Sequence, residues 1–159
     1  MKIPVFLNGS KTILEAHADE SLMKVLHRNG CPSVKSGCSS GFCGSCTILL
    51  DNKPVPSCKI PAGIAKDHDI VTLDYFLKTE EYSIIINGFN KAGIKLCGYC
   101  NAGKIFAAYQ IINMPKIPTR PEISEYVRTL SPCCTDLDTL VNGIIYALQI
   151  SNKRIQRIT

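Results

Sequence analysis

The sequence predicts an α+β protein built in two parts, a small sheet crossed by one helix and then a group of helices. Apolar residues alternate with polar residues in short runs before position 75, and this period of two is typical of strands. After position 80 they recur three and four residues apart, as on one face of a helix. The 159 residues are enough for two small domains, and domains of that size often need a bound metal because their apolar cores are small.

The first part is predicted to begin with a β-hairpin, because alternating runs stand on both sides of the turn dipeptide Asn8-Gly9. The segment 19–28 then has helical spacing and is followed by Gly30, a residue type that commonly ends helices. Three further strands are predicted, at 47–50, 55–60 and 70–73. The first two of these are expected to be joined by a turn at Asp51-Asn52.

The second part is predicted to consist of four helices in antiparallel succession. The first begins at Glu80 and ends before Gly93, and the second ends before Pro115, since proline cannot continue a helix. Capping boxes mark the starts of the other two helices, at Thr119-x-x-Glu122 and Thr135-x-x-Asp138. We therefore expect a four-helix bundle over residues 80–159.

Four of the nine cysteines have the order Cys-x4-Cys-x2-Cys-x11-Cys, and they are Cys38, Cys43, Cys46 and Cys58. This spacing is that of plant-type [2Fe–2S] sites, in which four thiolates hold two irons. Glycines interleave the first ligands, at Gly37, Gly41 and Gly44, which suits a loop whose backbone lies close to inorganic sulfide. We expect residues 1–75 to form a β-grasp ferredoxin-type domain with one cluster, and the chain to carry electrons.

Zinc and disulfides are the alternatives for these cysteines. Structural zinc sites usually have two closely spaced Cys pairs separated by a longer loop, whereas three cysteines here fall within nine residues. A disulfide framework needs an oxidising compartment, yet the cysteine count is odd and the start at Met1 has no apolar signal core. We expect the cysteines to be reduced or iron-bound, in the cytoplasm.

A second group of cysteines lies in the helical part. Cys97 and Cys100 fall in the connection between the first two predicted helices, and Cys133 and Cys134 in the connection between the last two. In an antiparallel bundle these connections lie at the same end, near helix N-termini whose dipoles favour thiolates. By spacing alone, a second [2Fe–2S] cluster, a zinc site and redox dithiols all stay open.

Charge and hydropathy argue against nucleic-acid binding and against a transmembrane segment. The formal net charge is +5, but the eighteen Lys and Arg residues are scattered singly, and their densest cluster is the tail at 153–157. This distribution gives no basic face for nucleic acid. The longest apolar runs are far shorter than a membrane span, so we expect neither nucleic-acid binding nor a transmembrane segment.

Three stretches of the chain together resemble the small iron–sulfur subunits of the molybdenum hydroxylases, the xanthine dehydrogenase and carbon monoxide dehydrogenase family. In that family the first cysteine loop reads Lys-x-Gly-Cys-Gly-Glu-Gly-x-Cys-Gly-Ala-Cys-Thr-Val, against residues 35–48 here. The helical domain carries Gln-Cys-Gly-Phe-Cys-Thr-Pro-Gly, against residues 96–103, and Cys-Arg-Cys-Thr-Gly-Tyr, against residues 132–137. The resemblance covers nearly the whole chain.

The resemblance implies a second [2Fe–2S] cluster on Cys97, Cys100, Cys133 and Cys134. It also implies a large partner subunit with the molybdenum cofactor, which hydroxylates a purine, aldehyde or other heterocycle, and a medium partner subunit with FAD. Electrons would pass from molybdenum to the helical-domain cluster, then to the plant-type cluster and to FAD. Two departures from the family's motifs concern these cofactors. Leu96 replaces the glutamine that contacts the pterin in the family, and Pro132 stands where the last motif has its first cysteine ligand. The alternative is a free-standing ferredoxin-like shuttle whose helical domain is structural or binds zinc.

The remaining reactive side chains are expected to be structural. Cys31 fits neither cysteine group and is expected to be a small buried apolar residue. His27 and His68 have no metal-binding partner at helical or hairpin spacing, and Lys35 is expected to contribute little as an exposed lysine. Because no nucleophile with a base, carboxylate pair or phosphate loop is found, substrate chemistry is not expected on this chain.

Overall fold

The fold is described from a computed structural model that covers residues 1–38, 40–98, 101–130 and 134–158, with the backbone alone for 153–158. The predicted α+β class is confirmed, with one mixed sheet and six α-helices in the described residues. The regular elements are β1 Lys2–Leu7, β2 Ser10–Glu15, α1 Leu22–Arg28, β3 Thr47–Leu50, β4 Lys53–Pro56, β5 Asp69–Val71, α2 Leu73–Phe76, α3 Glu80–Lys91, α4 Asn101–Ile112, α5 Arg120–Val127 and α6 Leu137–Ile158. Two short 3₁₀ turns, Ser57–Lys59 and Ala62–Ala65, lie between β4 and β5.

The strands form one sheet in the order β2-β1-β5-β3-β4. β1 pairs antiparallel with β2 and parallel with β5, while β3 pairs antiparallel with β4 and β5. Both hairpin turns use left-handed backbone: φ is 51° and 83° at Asn8 and Gly9, and 49° and 66° at Asp51 and Asn52. Such turns match the twist of paired strands. The antiparallel pairing of β1 with β2 and of β3 with β4 confirms both predicted hairpins.

Helix α1 lies across the sheet and builds the core of the first part. Its side chains Leu22, Val25 and Leu26 are fully buried and share that core with Leu14 of β2 and Ile48 of β3. Burying one such aliphatic side chain stabilises the fold by about 2 kcal/mol. This packing places the segment after α1, which carries the first cysteines, at the end of the sheet where β3 begins.

The helices of the second part share another core, in which the long helix α6 packs against α3, α4 and α5. Leu49 of β3 and Phe76 of α2 belong to this core, and the Phe76 ring meets the Phe106 ring edge-on at 5.1 Å. The start of α4 lies against β3 and β4. The sheet and the helices are therefore in direct contact on the side where the cysteine loops lie.

Several predicted boundaries were wrong. The strand predicted at 55–60 ends at Pro56, because the amide and hydroxyl of Ser57 both donate to the Cys46 carbonyl and turn the chain. Helix α6 is capped by Asp136, not Thr135, since the Asp136 carboxylate accepts from the Thr139 amide at 2.8 Å. The one-turn helix α2 was not predicted. No helix in the described ranges has both the length and the apolar character that crossing a membrane needs.

Candidate metal centre

The first cysteine loop spans residues 38–46, between α1 and β3, and Cys58 reaches it from the 3₁₀ turn that follows β4. Cys46 is buried, Cys43 and Cys58 are half-buried, and Cys38 is exposed. The Ser57 hydroxyl lies 2.6 Å from the Cys46 carbonyl and holds the turn against the loop. The structure thus brings the four cysteines together at one edge of the sheet.

The four thiols lie near one another. The Cys43 amide lies 3.3 Å from Cys38 Sγ, and burial, together with the neighbouring Cys46 and Cys38 thiols, raises the pKa of Cys58. Within the described part of the chain, no three His, Cys, Asp or Glu side chains are grouped closely enough to hold a metal ion as they stand. The four cysteines supply the number and type of ligands that a [2Fe–2S] core takes, two thiolates on each iron.

Backbone amides point at these sulfurs. The Ser40 and Cys43 amides lie 3.4 and 3.3 Å from Cys38 Sγ, and the Ser45 amide lies 3.4 Å from Cys43 Sγ. The Gly41 amide also acts to lower the pKa of Cys58, against the larger effect of burial. Amides that donate to sulfur stabilise thiolates and are one of the levers on the potential of an iron–sulfur site.

The glycines of the loop have two different physical roles. Gly41 and Gly44 have φ of 88° and 77°, a conformation that side chains disfavour. Gly37 is needed for space, because a Cβ there would lie 2.5 Å from Cys43 Sγ and 2.9 Å from Ser45 Oγ. The backbone can therefore lie directly against the sulfurs, as a cluster with amide donors requires.

The loop shifts the pKa values of two of the four thiols in opposite directions. The Ser40 hydroxyl, with the Cys43 and Ser40 amides, lowers the pKa of Cys38 to about 5. Burial, together with the neighbouring Cys46 thiol, raises the pKa of Cys58 to about 11. A metal bound here would meet a thiolate at Cys38 and displace a proton from Cys58, as thiolate ligation requires.

Of the second cysteine group, the structure describes two members. Cys97 is exposed just before α4, and Cys134 is half-buried just before α6. Cys100 and Cys133 lie outside the described residues, as does Pro132. Leu96, the departure from the resembled motif, is half-buried against the core of the helical part.

Lys35 is not the exposed lysine that we expected from the sequence. It is half-buried, and its Nζ donates to the Gly98 carbonyl in the second cysteine loop at 2.5 Å. The Gly98 amide in turn donates to Asn101 Oδ1 at 3.0 Å. This contact joins positions 63 apart in the chain, so no local sequence signal could have indicated it.

The other side chains singled out from the sequence have structural partners. Cys31 is buried as expected, and burial raises the pKa of its thiol. His27 Nδ1 contacts the Val34 carbonyl at 2.9 Å. His68 Nδ1 contacts an Asp51 carboxylate oxygen at 2.5 Å at the exposed β3–β4 turn. These contacts tie loops of the first part and leave its cysteine loop as the candidate centre.

Comparison with known proteins agrees with this geometry. The family described as 2Fe-2S iron-sulfur cluster binding domain matches residues 5–70. The nicotinate dehydrogenase small FeS subunit of Eubacterium barkeri is 31% identical over 144 residues, 90% of this chain and 92% of that protein. The xanthine dehydrogenase iron-sulfur-binding subunit of Escherichia coli O157:H7 is 33% identical over 143 residues, 87% of this chain and 89% of that protein.

A solved structure extends the likeness to the fold. The quinoline 2-oxidoreductase structure from Pseudomonas putida 86 matches this chain with a TM-score of 0.82 and 27% identity, over 96% of both chains. The match therefore includes the helical part as well as the sheet. The chain belongs to the small iron–sulfur subunits of the molybdenum hydroxylases, and it is an electron-transfer subunit of an oxidoreductase complex.

Proposed function

We propose that this chain passes electrons through two [2Fe–2S] clusters, from a subunit with the molybdenum cofactor to a subunit with FAD. The first cluster is held by Cys38, Cys43, Cys46 and Cys58. The second is held by Cys97, Cys100, Cys133 and Cys134. The convergence of the first four cysteines at one edge of the sheet, with backbone amides directed at Cys38 Sγ and Cys43 Sγ, is the observation that carries the proposal. The clusters supply the one-electron chemistry, and the chain supplies position, amide donors and a partly dry surrounding.

The domain assignment belongs to the same proposal. Residues 1–75 form a β-grasp domain of the plant ferredoxin type, and residues 80–159 form a four-helix bundle that holds the second cluster. The sheet part and the helical part each have a core, which supports this division, although Leu49 and Leu73 of residues 1–75 belong to the helical core. Reduced, iron-bound cysteines are the reason to place the complex in the cytoplasm.

The partner subunits carry the substrate chemistry. A large subunit with the molybdenum cofactor hydroxylates a small heterocycle or aldehyde, and a medium subunit with FAD accepts the electrons. Relatives named for nicotinate, xanthine and quinoline support a nitrogen heterocycle as the substrate class.

The test is metal analysis combined with low-temperature electron paramagnetic resonance of the dithionite-reduced protein. Two clusters predict about four iron and four sulfide per chain, and two distinguishable signals. Cys43→Ala should remove one signal and about half of the iron, and the other signal should stay. Two iron with one zinc would contradict the second cluster.

Association separates the proposal from a free-standing shuttle. Purified from its native cells through a tag, the chain should bring two larger chains with it, one containing molybdenum and one containing flavin. A monomer that exchanges electrons with several reductases would indicate the shuttle instead.

A further inference from the structure

We propose that Lys35 is a positioning residue for electron transfer between the two cysteine loops. With the contact between Gly44 and Gly103, it holds the loops at a fixed separation, and electrons pass at this junction. The inference rests on the proposed function, because it needs a cluster in each loop. It concerns residues that bind neither cluster themselves.

The two loops touch through glycine backbone. Gly44 lies between Cys43 and Cys46, and Gly103 lies in the first turn of α4, three positions after Cys100. A Cβ at Gly103 would lie 2.8 Å from Gly44 Cα and 3.3 Å from the Gly44 carbonyl oxygen. A Cβ at Gly44 would lie 3.0 Å from Gly103 Cα. Since a side chain on either glycine would push the backbones apart, this close contact depends on glycine at both positions.

Lys35 forms a strap across the same junction. Its backbone amide donates to the Ser45 carbonyl at 3.0 Å, which fixes it to the first cysteine loop. Its Nζ donates to the Gly98 carbonyl at 2.5 Å, and Gly98 directly follows Cys97. The Gly98 amide is held by Asn101 Oδ1 at 3.0 Å, so the bonded carbonyl belongs to a loop that is itself fixed to α4.

The consequence for electron transfer follows from distance. Electron tunnelling between two centres slows steeply as they separate, so a fixed separation of the loops fixes the transfer rate. A charge-assisted hydrogen bond is about twice as strong as a neutral one, which suits a strap between loops. Loss of the strap should therefore let the second loop move away from the first without removing any cysteine.

The experiment compares Lys35→Met with Lys35→Arg in the protein loaded with iron and sulfide. Electron paramagnetic resonance of the fully reduced protein reports the magnetic interaction between the two clusters, and flash or pulse reduction reports the transfer rate between them. Lys35→Met should weaken the magnetic interaction between the clusters and slow electron transfer between them. Lys35→Arg should keep both close to wild type, because arginine keeps a cationic donor. Lys66→Met, at an exposed lysine of the sheet part, is the matched control and should change neither.

Gly103→Ala tests the backbone contact with the same readouts and should also weaken the interaction. Gly63→Ala is its control, since the nearest atom to a Cβ at Gly63 is 3.9 Å away. Should Gly103→Ala fail to fold, the Lys35 pair still decides. A Lys35→Met protein with both clusters loaded and with wild-type interaction and rate would overturn the inference and leave the proposed function standing. A wild-type protein with one cluster would overturn both.

Discussion

Cys58 and Cys31 both lie in the sheet part, but their surroundings differ. Cys58 meets Cys46 and the Gly41 amide at the cysteine loop, whereas Cys31 is 3% exposed in the core under α1. Cys58→Ala removes one of four ligands, so we expect it to lose the first cluster and about half of the iron and sulfide. Metal analysis and visible absorbance of the purified protein measure this loss.

Cys31→Ala is the control for that substitution. It removes a buried thiol that lies outside the cysteine loop, so it should cost about 1 kcal/mol of stability and leave the iron content unchanged. An equal loss of iron in both variants would contradict the assignment of Cys58 as a ligand.

Residue spacing predicted the site only as far as local chemistry reaches. The cysteine order and the interleaved glycines are readable because ligands and turn residues in one loop follow one another in sequence. The role of Gly37 could not be predicted, because it depends on the position of Cys43 Sγ in the folded loop. The Lys35 bond to Gly98 depends on docking of two distant segments, which no spacing rule encodes.

At the scale of elements, α3 and α6 cross at two small residues. A Cβ at Gly88 of α3 would lie 2.5 Å from the Ala147 backbone nitrogen and 2.7 Å from its Cα. Overpacking costs about 1–3 kcal/mol, whereas alanine gains ~1 kcal/mol over glycine inside a helix. Because the clash is with backbone atoms, we expect Gly88→Ala to lower the free energy of unfolding by up to about 2 kcal/mol in urea titrations.

Asn87→Ala tests whether the loss comes from the helix crossing. Asn87 precedes Gly88 in the same helix and is exposed, so alanine there should be neutral or stabilise by a few tenths of a kcal/mol. Destabilisation of similar size by both substitutions would mean that the close crossing is not the cause.

The end of α1 is held by an ion pair with Glu20 and by a hydrogen bond to β2. Arg28 donates to the Glu20 carboxylate at 2.5 Å and to the Glu15 carbonyl of β2 at 2.7 Å. The Arg28 guanidinium lowers the pKa of Glu20 to about 2 from its ordinary 4.5. A carboxyl with a depressed folded-state pKa stabilises the fold above about pH 4.5, and this contribution is lost as the pH falls towards 2.

Glu20→Gln should remove that contribution. We expect the variant to be less stable than the wild type near neutral pH, and the difference in unfolding midpoint to shrink between pH 4.5 and pH 2. The measurement is thermal unfolding of the two proteins across this range, with Glu125→Gln as control for an exposed i,i+3 pair with Arg128. A constant difference at all pH values would show that charge is not the cause.

Element types were more predictable than element ends. The hairpins followed from Asn8-Gly9 and Asp51-Asn52, whose residues accept left-handed backbone, and the α5 cap followed from Thr119 and Glu122. The strand through Cys58 was wrong because Ser57 bonds to Cys46, a tertiary contact. Helix α2 was missed because a single turn has no apolar period to detect.

At the scale of the whole molecule, the two cores meet along β3 and β5. Leu49 of β3 is 2% exposed and packs in the core of the helices, whereas Leu14 of β2 is fully buried in the core under α1. Leu→Ala at a buried position costs about 2–5 kcal/mol. The two substitutions are matched in chemistry and in burial, and they differ in which core they open.

Leu49→Ala should therefore weaken both halves of the molecule. We expect faster hydrogen exchange at amides of α4 and α6 as well as in β3, because the sheet loses a fully packed side chain from the helical core. Leu14→Ala should accelerate exchange in β1, β2 and α1 and leave α6 close to wild type. If α6 exchanges at the wild-type rate in Leu49→Ala, the helices hold together without this contact from the sheet.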